Sequence, residues 1–317
     1  VEDIMSFRIK LVHKFIRPIV KNLERLPLSK KERINQIFDR ILFLRNLSEK
    51  KRLNNLLIDG NSNLFLIPKD KGFVRFSVDK NFTDSAIDFG RRTLQNHLNQ
   101  NGSKSNSKDY LQQIFNSSKL NRESEFLFDW ATSPSVLKSV ANYLNKYPLL
   151  HDISVFYSPP DNKEAGEFSG SQLFHMDGGG TQCVKLWLLC EEVGLENGPT
   201  VLIPAALSQD IASNINYQPG TKISDKIVGS YESTAFYATG PSGSWFATDT
   251  DRCFHYGSRT QESSGRLVLM FHYVDHNSTY YAPLLSQHYK TSTNLVSADV
   301  YSRKDVFANE SIRFRKR

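Results

Sequence analysis

Between Ile153 and Val274 the chain is a succession of short runs rich in Val, Ile, Leu, Phe, Tyr and Trp that alternate with turn signals. The runs fall at Ile153 to Tyr157, Gln182 to Glu191, Thr200 to Ile203, Ser233 to Ala238, Gly243 to Ala247 and Arg266 to Val274. Runs this short read as strands. With no helix expected between them, parallel crossovers are disfavoured and antiparallel closure into a double-sheet jelly roll or barrel is expected.

Helical signals lie upstream. Gly72 to Val78 alternates as a strand, after which Thr83 or Asp84 can cap a helix running toward Leu98. Residues 101–108 have the Asn, Gly, Ser and Lys content of a loop. Ser133-Pro134 is a helix start, N-cap then first turn, leading through Leu137, Val140 and Leu144.

The N-terminal segment differs in charge. Residues 1–58 carry 14 Lys and Arg against 6 Asp and Glu, an excess larger than the net +7 of the whole chain. Ile4, Phe7, Leu11 and Phe15 recur at helical spacing up to Pro18, and Ser29-Lys30-Lys31-Glu32 reads as a capping box opening a helix through Leu44. A basic amphipathic helix can rest on a membrane surface or a partner, or pack against the main domain. Because the basicity is confined there, nucleic acid is not an expected partner. The organisation expected is a basic helical extension over 1–60, a domain over 61–290 with its β core at about 150–275, and a basic tail over 291–317.

No run of about 18 apolar residues is present, and no leader pattern opens the chain, although one upstream of Val1 is left open. Cys183, Cys190 and Cys253 are odd in number and lack C-x-x-C spacing, so reduced thiols and a cytoplasmic protein are expected.

The chemistry is concentrated in Phe174-His175-Met176-Asp177-Gly178-Gly179-Gly180. On an extended chain the period of two sends His175 and Asp177 to one face, so both can reach one metal. An imidazole, a carboxylate and one further histidine make the facial triad that leaves positions open on iron(II). Histidine-x-aspartate alone is a weak signal. Downstream, His255 follows a turn-rich acidic stretch, and Arg266 opens the apolar strand Leu-Val-Leu-Met-Phe, a costly place for a charge unless an anion meets it. A guanidinium suits a carboxylate, here the distal one of 2-oxoglutarate. Arg259 is its rival, but its polar surroundings read as a loop. Cys253 is read as a small packing residue, and His272 as a core residue with no catalytic role.

These blocks, in order, resemble the phytanoyl-CoA dioxygenase family of iron(II) and 2-oxoglutarate oxygenases: Ser158-Pro159-Pro160-Asp161, His175-x-Asp177, Trp187, Glu196-Asn197-Gly198-Pro199 with Ile203-Pro204, His255-Tyr256-Gly257-Ser258 and Arg266. The resemblance runs from about Gly72 to Val274. It implies a cupin-like double-stranded β-helix, mainly β with flanking helices, and oxidative decarboxylation of 2-oxoglutarate by dioxygen, coupled to hydroxylation of a small molecule. It implies His175, Asp177 and His255 on iron(II), Arg266 on the cosubstrate, and Trp187 beside it. Lys185 shares strand parity with Trp187 and is expected either as a second anion contact or at a sheet edge. Tyr157 is a candidate hydroxyl donor to 2-oxoglutarate, its alternative being a bond to backbone. Related halogenases carry a small residue at the Asp177 position, so the carboxylate favours hydroxylation or desaturation. Where the family tends to show Pro-Gly-Ser-His, this chain has Pro204-Ala205-Ala206-Leu207. The competing expectations are a non-catalytic jelly-roll scaffold docking through its basic N-terminal helices and a cupin-type enzyme with another metal.

Overall fold

The computed structural model describes residues 53–58, 60–100, 109–161, 167–178, 182–261 and 265–274. The expected N-terminal helices up to Leu44, the loop at 101–108 and the C-terminal tail lie outside them. Among the described residues, no helix is long and apolar enough to cross a membrane.

Among the described residues, nine strands form two antiparallel sheets. The larger is ordered β1 (Phe73–Phe76), β7 (Trp245–Thr248), β4 (Val184–Leu189), β9 (Arg266–Val274), β3 (Leu149–Ser158), β2 (Gln112–Phe115). The smaller is β6 (Phe236–Tyr237), β5 (Val201–Leu202), β8 (His255–Tyr256). This is the double-sheet jelly roll that the strand spacing called for. All nine residues of β9 are buried, as its apolar composition requires of a central strand covered on both faces.

The two faces of the large sheet have separate partners, set by the two-residue period of its strands. Leu267, Leu269 and Phe271 of β9, Leu186 and Leu188 of β4, and Ile153 and Val155 of β3 join the main core. That core is closed by α1 (Lys80–Gln100), α2 (Glu125–Ala131) and α3 (Pro134–Leu144), through Ile87, Phe89, Leu127, Phe128, Val136 and Val140. Arg266, Val268 and Met270, with Lys185 and Trp187, take the other face and look toward the small sheet.

Local chemistry explains the helix boundaries. Asp79, not Thr83 or Asp84, caps α1: its Oδ1 accepts from Phe82 N at 3.1 Å. Thr83 is instead buried, with its hydroxyl accepting from Trp245 Nε1 at 3.1 Å. Ser133 stands at the N-cap of α3 with Pro134 in the first turn, as expected, and Asn145 ends the helix in the left-handed conformation at φ 51°.

The expectation of no helices between the strands is overturned. α4 (Ala205–Asn214) and α5 (Asp225–Val228) separate β5 from β6, and a 3-10 helix over Gly229–Thr234 takes up the start of the strand expected from Ser233. Ala205, Ala206 and Leu207 are strong helix formers placed directly after Pro204, and Ser208 and Ile211 bury one face of the turn they begin. The unpredicted α2 and β2 carry apolar stretches too short to show a period.

Candidate metal centre

The His175 arm is extended but is not a full strand: it forms isolated bridges, Phe174 with Ile223 and His175 with His255. Alternation still sorts its side chains. Phe174 and Met176 enter a small core with Ile203, Ile211, Tyr217 and Phe254, while His175 and Asp177 face a cavity. The arm is held at its backbone, Met176 N donating to Tyr217 Oη at 2.9 Å and Asp177 N to Thr250 O at 2.8 Å.

His255 completes the group from β8. Among the described residues, His175, Asp177 and His255 form the group able to hold a metal, with one donor atom from each all within 4.8 Å of one another. Asp177 Oδ1 lies 3.7 Å from His175 Nε2 and 3.9 Å from His255 Nε2. Both rings are oriented from behind: His175 Nδ1 lies 2.8 Å from Leu173 O and His255 Nδ1 lies 3.0 Å from Cys253 O. A carbonyl only accepts, so in each ring Nδ1 carries the proton and Nε2 offers its lone pair. Burial and the neighbouring His255 pull His175 down to about 3, and burial lowers His255, so both imidazoles are neutral, as metal ligands must be.

Asp177 is held ionised. Burial works against its charge, but the Lys185 ammonium beside it outweighs that and keeps its carboxyl well below the usual range. Lys185 Nζ lies 2.6 Å from Asp177 Oδ2. Burial opposes the charge on Lys185, and the Asp177 carboxylate more than offsets it, raising the ammonium above its ordinary value.

From this group a cavity of about 170 Å³ extends to Arg266, walled by Phe156, Trp187, Thr200, Tyr256, Val268 and Met270 among others. Arg266 is 4% exposed, and among the described residues only hydroxyls meet its guanidinium: Ser258 at 3.0 Å, Thr200 at 3.3 Å and Ser158 at 3.5 Å. Its Nε has no hydrogen-bond partner, and no carboxylate pairs with it among the described residues. Burial lowers it to about 10, which leaves it charged at neutral pH.

The remaining sequence candidates separate cleanly. Arg259 is spent on structure: Nη1 and Nη2 meet Asp225 at 2.8 Å each, and its plane lies 3.5 Å over the Tyr256 ring. Trp187 lines the cavity, its Nε1 donating to Thr248 Oγ1 at 3.0 Å. Tyr157 is a correction: it packs on the main core, on the far side of the sheet from the cavity. Phe156 and Ser158 of β3 pair with Val268 and Arg266, so the period of two turns Tyr157 away from the cavity. Cys253 is fully buried in packing, and His272 stands opposite Lys185 in the β4–β9 pair, its ring 5.0 Å from His151.

No family model and no curated protein matches the sequence. Among solved structures, the chain is similar to EctD from S. alaskensis, at TM-score 0.47 and 11% identity over 65% of this chain and 74% of that one. It is also similar to the epimerase SnoN in complex with Fe3+, alpha ketoglutarate and nogalamycin RO, at TM-score 0.45 and 16% identity over 72% and 85% of the two chains. A third is AviO1 from Streptomyces viridochromogenes Tue57, at TM-score 0.44 and 14% identity over 65% and 91%.

Several contributors to the site escaped sequence reasoning. Ser258 adopts φ 61°, fixed by its N–H on Gly198 O at 3.0 Å and its carbonyl under Gln172 Nε2 at 2.8 Å, and this turns its hydroxyl to Arg266. Thr200 and Ser158 complete the hydroxyl cradle. Behind the candidate ligands, buried Asp249 accepts from Tyr143 Oη at 2.8 Å, Asp251 N at 3.1 Å, and Cys183 N and Arg252 N at 3.2 Å each. It thus ties the turn leading to His255 to the start of the strand bearing Lys185. The acidic stretch Asp249-Thr250-Asp251 was the one signal for this hub.

Proposed function

We propose that the chain is a non-haem iron(II)- and 2-oxoglutarate-dependent oxygenase that hydroxylates a small molecule and releases succinate and carbon dioxide, akin in motif order to the phytanoyl-CoA dioxygenase family. The observation that carries this is the cavity with two kinds of end. One end presents two neutral Nε2 atoms and a carboxylate oxygen; the other holds a buried guanidinium that has no counter-ion among the described residues. A buried charge is retained where a ligand neutralises it, and a linear dicarboxylate has one group for each end.

The donor set fits the group. Two imidazoles and one carboxylate on one side of an ion suit iron(II) and leave positions open. When bound, the metal supplies dioxygen activation, and 2-oxoglutarate supplies the two electrons that, with the two from the substrate C–H bond, reduce one dioxygen to a hydroxyl oxygen and a succinate oxygen. The residues present and orient. His175 and His255 are aimed by Leu173 O and Cys253 O, Asp177 turns Oδ1 toward them, and Arg266 receives the far carboxylate beside Ser258, Thr200 and Ser158. Trp187, Val268 and Met270 wall the span between and exclude water. Asp177, as a carboxylate at its position, favours hydroxylation over halogenation. Cys183, Cys190 and Cys253 are free and buried, in keeping with a reducing cytoplasm. Residues 1–58, with their basic excess, are proposed as the segment that meets a membrane surface or protein partner.

The test is anaerobic titration of the metal-free protein with iron(II) and 2-oxoglutarate, tracking the metal-to-ligand charge-transfer band. A band that appears only with both, and iron-dependent succinate formation on admitting air, are expected. Metal binding without a band would overturn the proposal.

A further inference from the structure

The two oxygens of the Asp177 carboxylate have different neighbours. Oδ1 faces the Nε2 atoms of His175 and His255 at 3.7 and 3.9 Å, whereas Oδ2 is 2.6 Å from Lys185 Nζ. Lys185 reaches it from β4, where pairing with Thr248 of β7 and His272 of β9 fixes its backbone on both sides. The arm bearing Asp177 is held separately, through Thr250 O and Tyr217 Oη. Two independently anchored elements therefore bring ammonium and carboxylate together, and both side chains are largely buried, at 13% and 16% exposure. Separating a buried pair leaves each charge uncompensated, so the contact is a fixed part of the site.

We propose that Lys185 is a positioning residue that commits Asp177 to a single-oxygen metal ligand. This rests on the metal site proposed above. A carboxylate beside a divalent cation can bind through one oxygen or both. Taking both would fill a position that a chelating cosubstrate or dioxygen needs. With Oδ2 engaged by the ammonium, Oδ1 alone is turned toward the imidazoles, and the open positions are kept. Lys185 thus acts through Asp177 and is not a second contact for the cosubstrate, whose charge is met by Arg266 at the opposite end of the cavity.

The experiment uses the full chain and manganese(II) alone, counting metal-bound water by proton relaxation. An octahedral ion on three protein donors keeps about three waters in the wild type, and Lys185→Met should reduce this to about two as Oδ2 joins Oδ1 on the metal. Lys185→Arg, which keeps a cationic donor, should retain the wild-type value. Adding 2-oxoglutarate to the manganese-loaded Lys185→Met protein should then show affinity weakened about tenfold or more. Bound manganese with unchanged hydration in Lys185→Met would overturn the inference and leave the metal site standing. Wild-type protein that binds no manganese would instead overturn the metal site itself, and the inference with it. Should Lys185→Met fail to fold, the wild type labelled with carboxyl-13C aspartate decides by infrared difference on metal addition. A carboxylate band splitting wider than in the free ion marks one-oxygen ligation, and a narrower one refutes it.

Discussion

His175 and His255 exchange both of their backbone hydrogen bonds, His175 N to His255 O at 3.0 Å and His255 N to His175 O at 2.9 Å. Two candidate metal ligands from distant parts of the sequence are thereby set side by side by main chain alone, their ring centroids 4.3 Å apart. The ligand group is built by the fold, not by the metal.

His175→Ala should therefore abolish metal binding while leaving the fold intact. Calorimetric titration with manganese(II) is expected to show no binding, and the melting temperature of the metal-free variant to stay within a few degrees of the wild type. Metal at about one hundred times its dissociation constant should stabilise the wild type by about 2.7 kcal/mol and the variant not at all. Unfolding of the wild type by a chelator would contradict a preformed site.

Arg266 faces opposite demands from stability and binding. Replacing it with Met removes a buried cation that has no anionic partner among the described residues, so Arg266→Met should raise the stability of the metal-free protein by about 1–3 kcal/mol. The same variant should weaken 2-oxoglutarate binding about 100-fold. Arg259→Ala is the control: its guanidinium is already paired with Asp225, so it should lose stability and leave 2-oxoglutarate affinity unchanged. Urea unfolding and cosubstrate titration on the two variants check both directions.

Asp249 predicts a slope of stability with pH. Burial, against the hydrogen bonds it accepts, raises its carboxyl to about 6 from an ordinary 3.8. Between about pH 4 and 6 the folded protein holds a proton that the unfolded chain has released, so this residue's contribution to stability declines as pH rises through that window and is level above it. The loss is on the order of 2–3 kcal/mol. Asp249→Asn has no proton to release and should flatten the slope. Urea midpoints of wild type and variant at pH 4.5 and 7.5 that keep a constant difference would disprove it.

How far the site could be read in advance differs residue by residue. His175 and Asp177 were legible because the period of an extended chain is local, and it sends alternate side chains to one face even where only an isolated bridge forms. Arg266 was legible because a charge inside an apolar strand is costly wherever that strand lies. Tyr157 was misplaced because its facing depends on which residue of β9 stands opposite each residue of β3, and register is a property of two strands. The helix after Pro204 was missed where a short strand-like stretch precedes good helix formers, and the buried face of Ser208 and Ile211 decided between them.

Local periodicity and the cost of burying charge are properties of the sequence by itself, and they determined a double-sheet β core, the histidine and aspartate on one face, and an arginine singled out inside an apolar strand. Only the tertiary structure decided the pairings. It set His175 against His255, engaged Arg259 with Asp225, gathered Ser158, Thr200 and Ser258 around Arg266, and closed Lys185 on the second oxygen of Asp177. Each of these contacts joins different segments of the chain, and its partner is selected by strand register and by the burial of both groups in one low-dielectric interior, which no local pattern encodes.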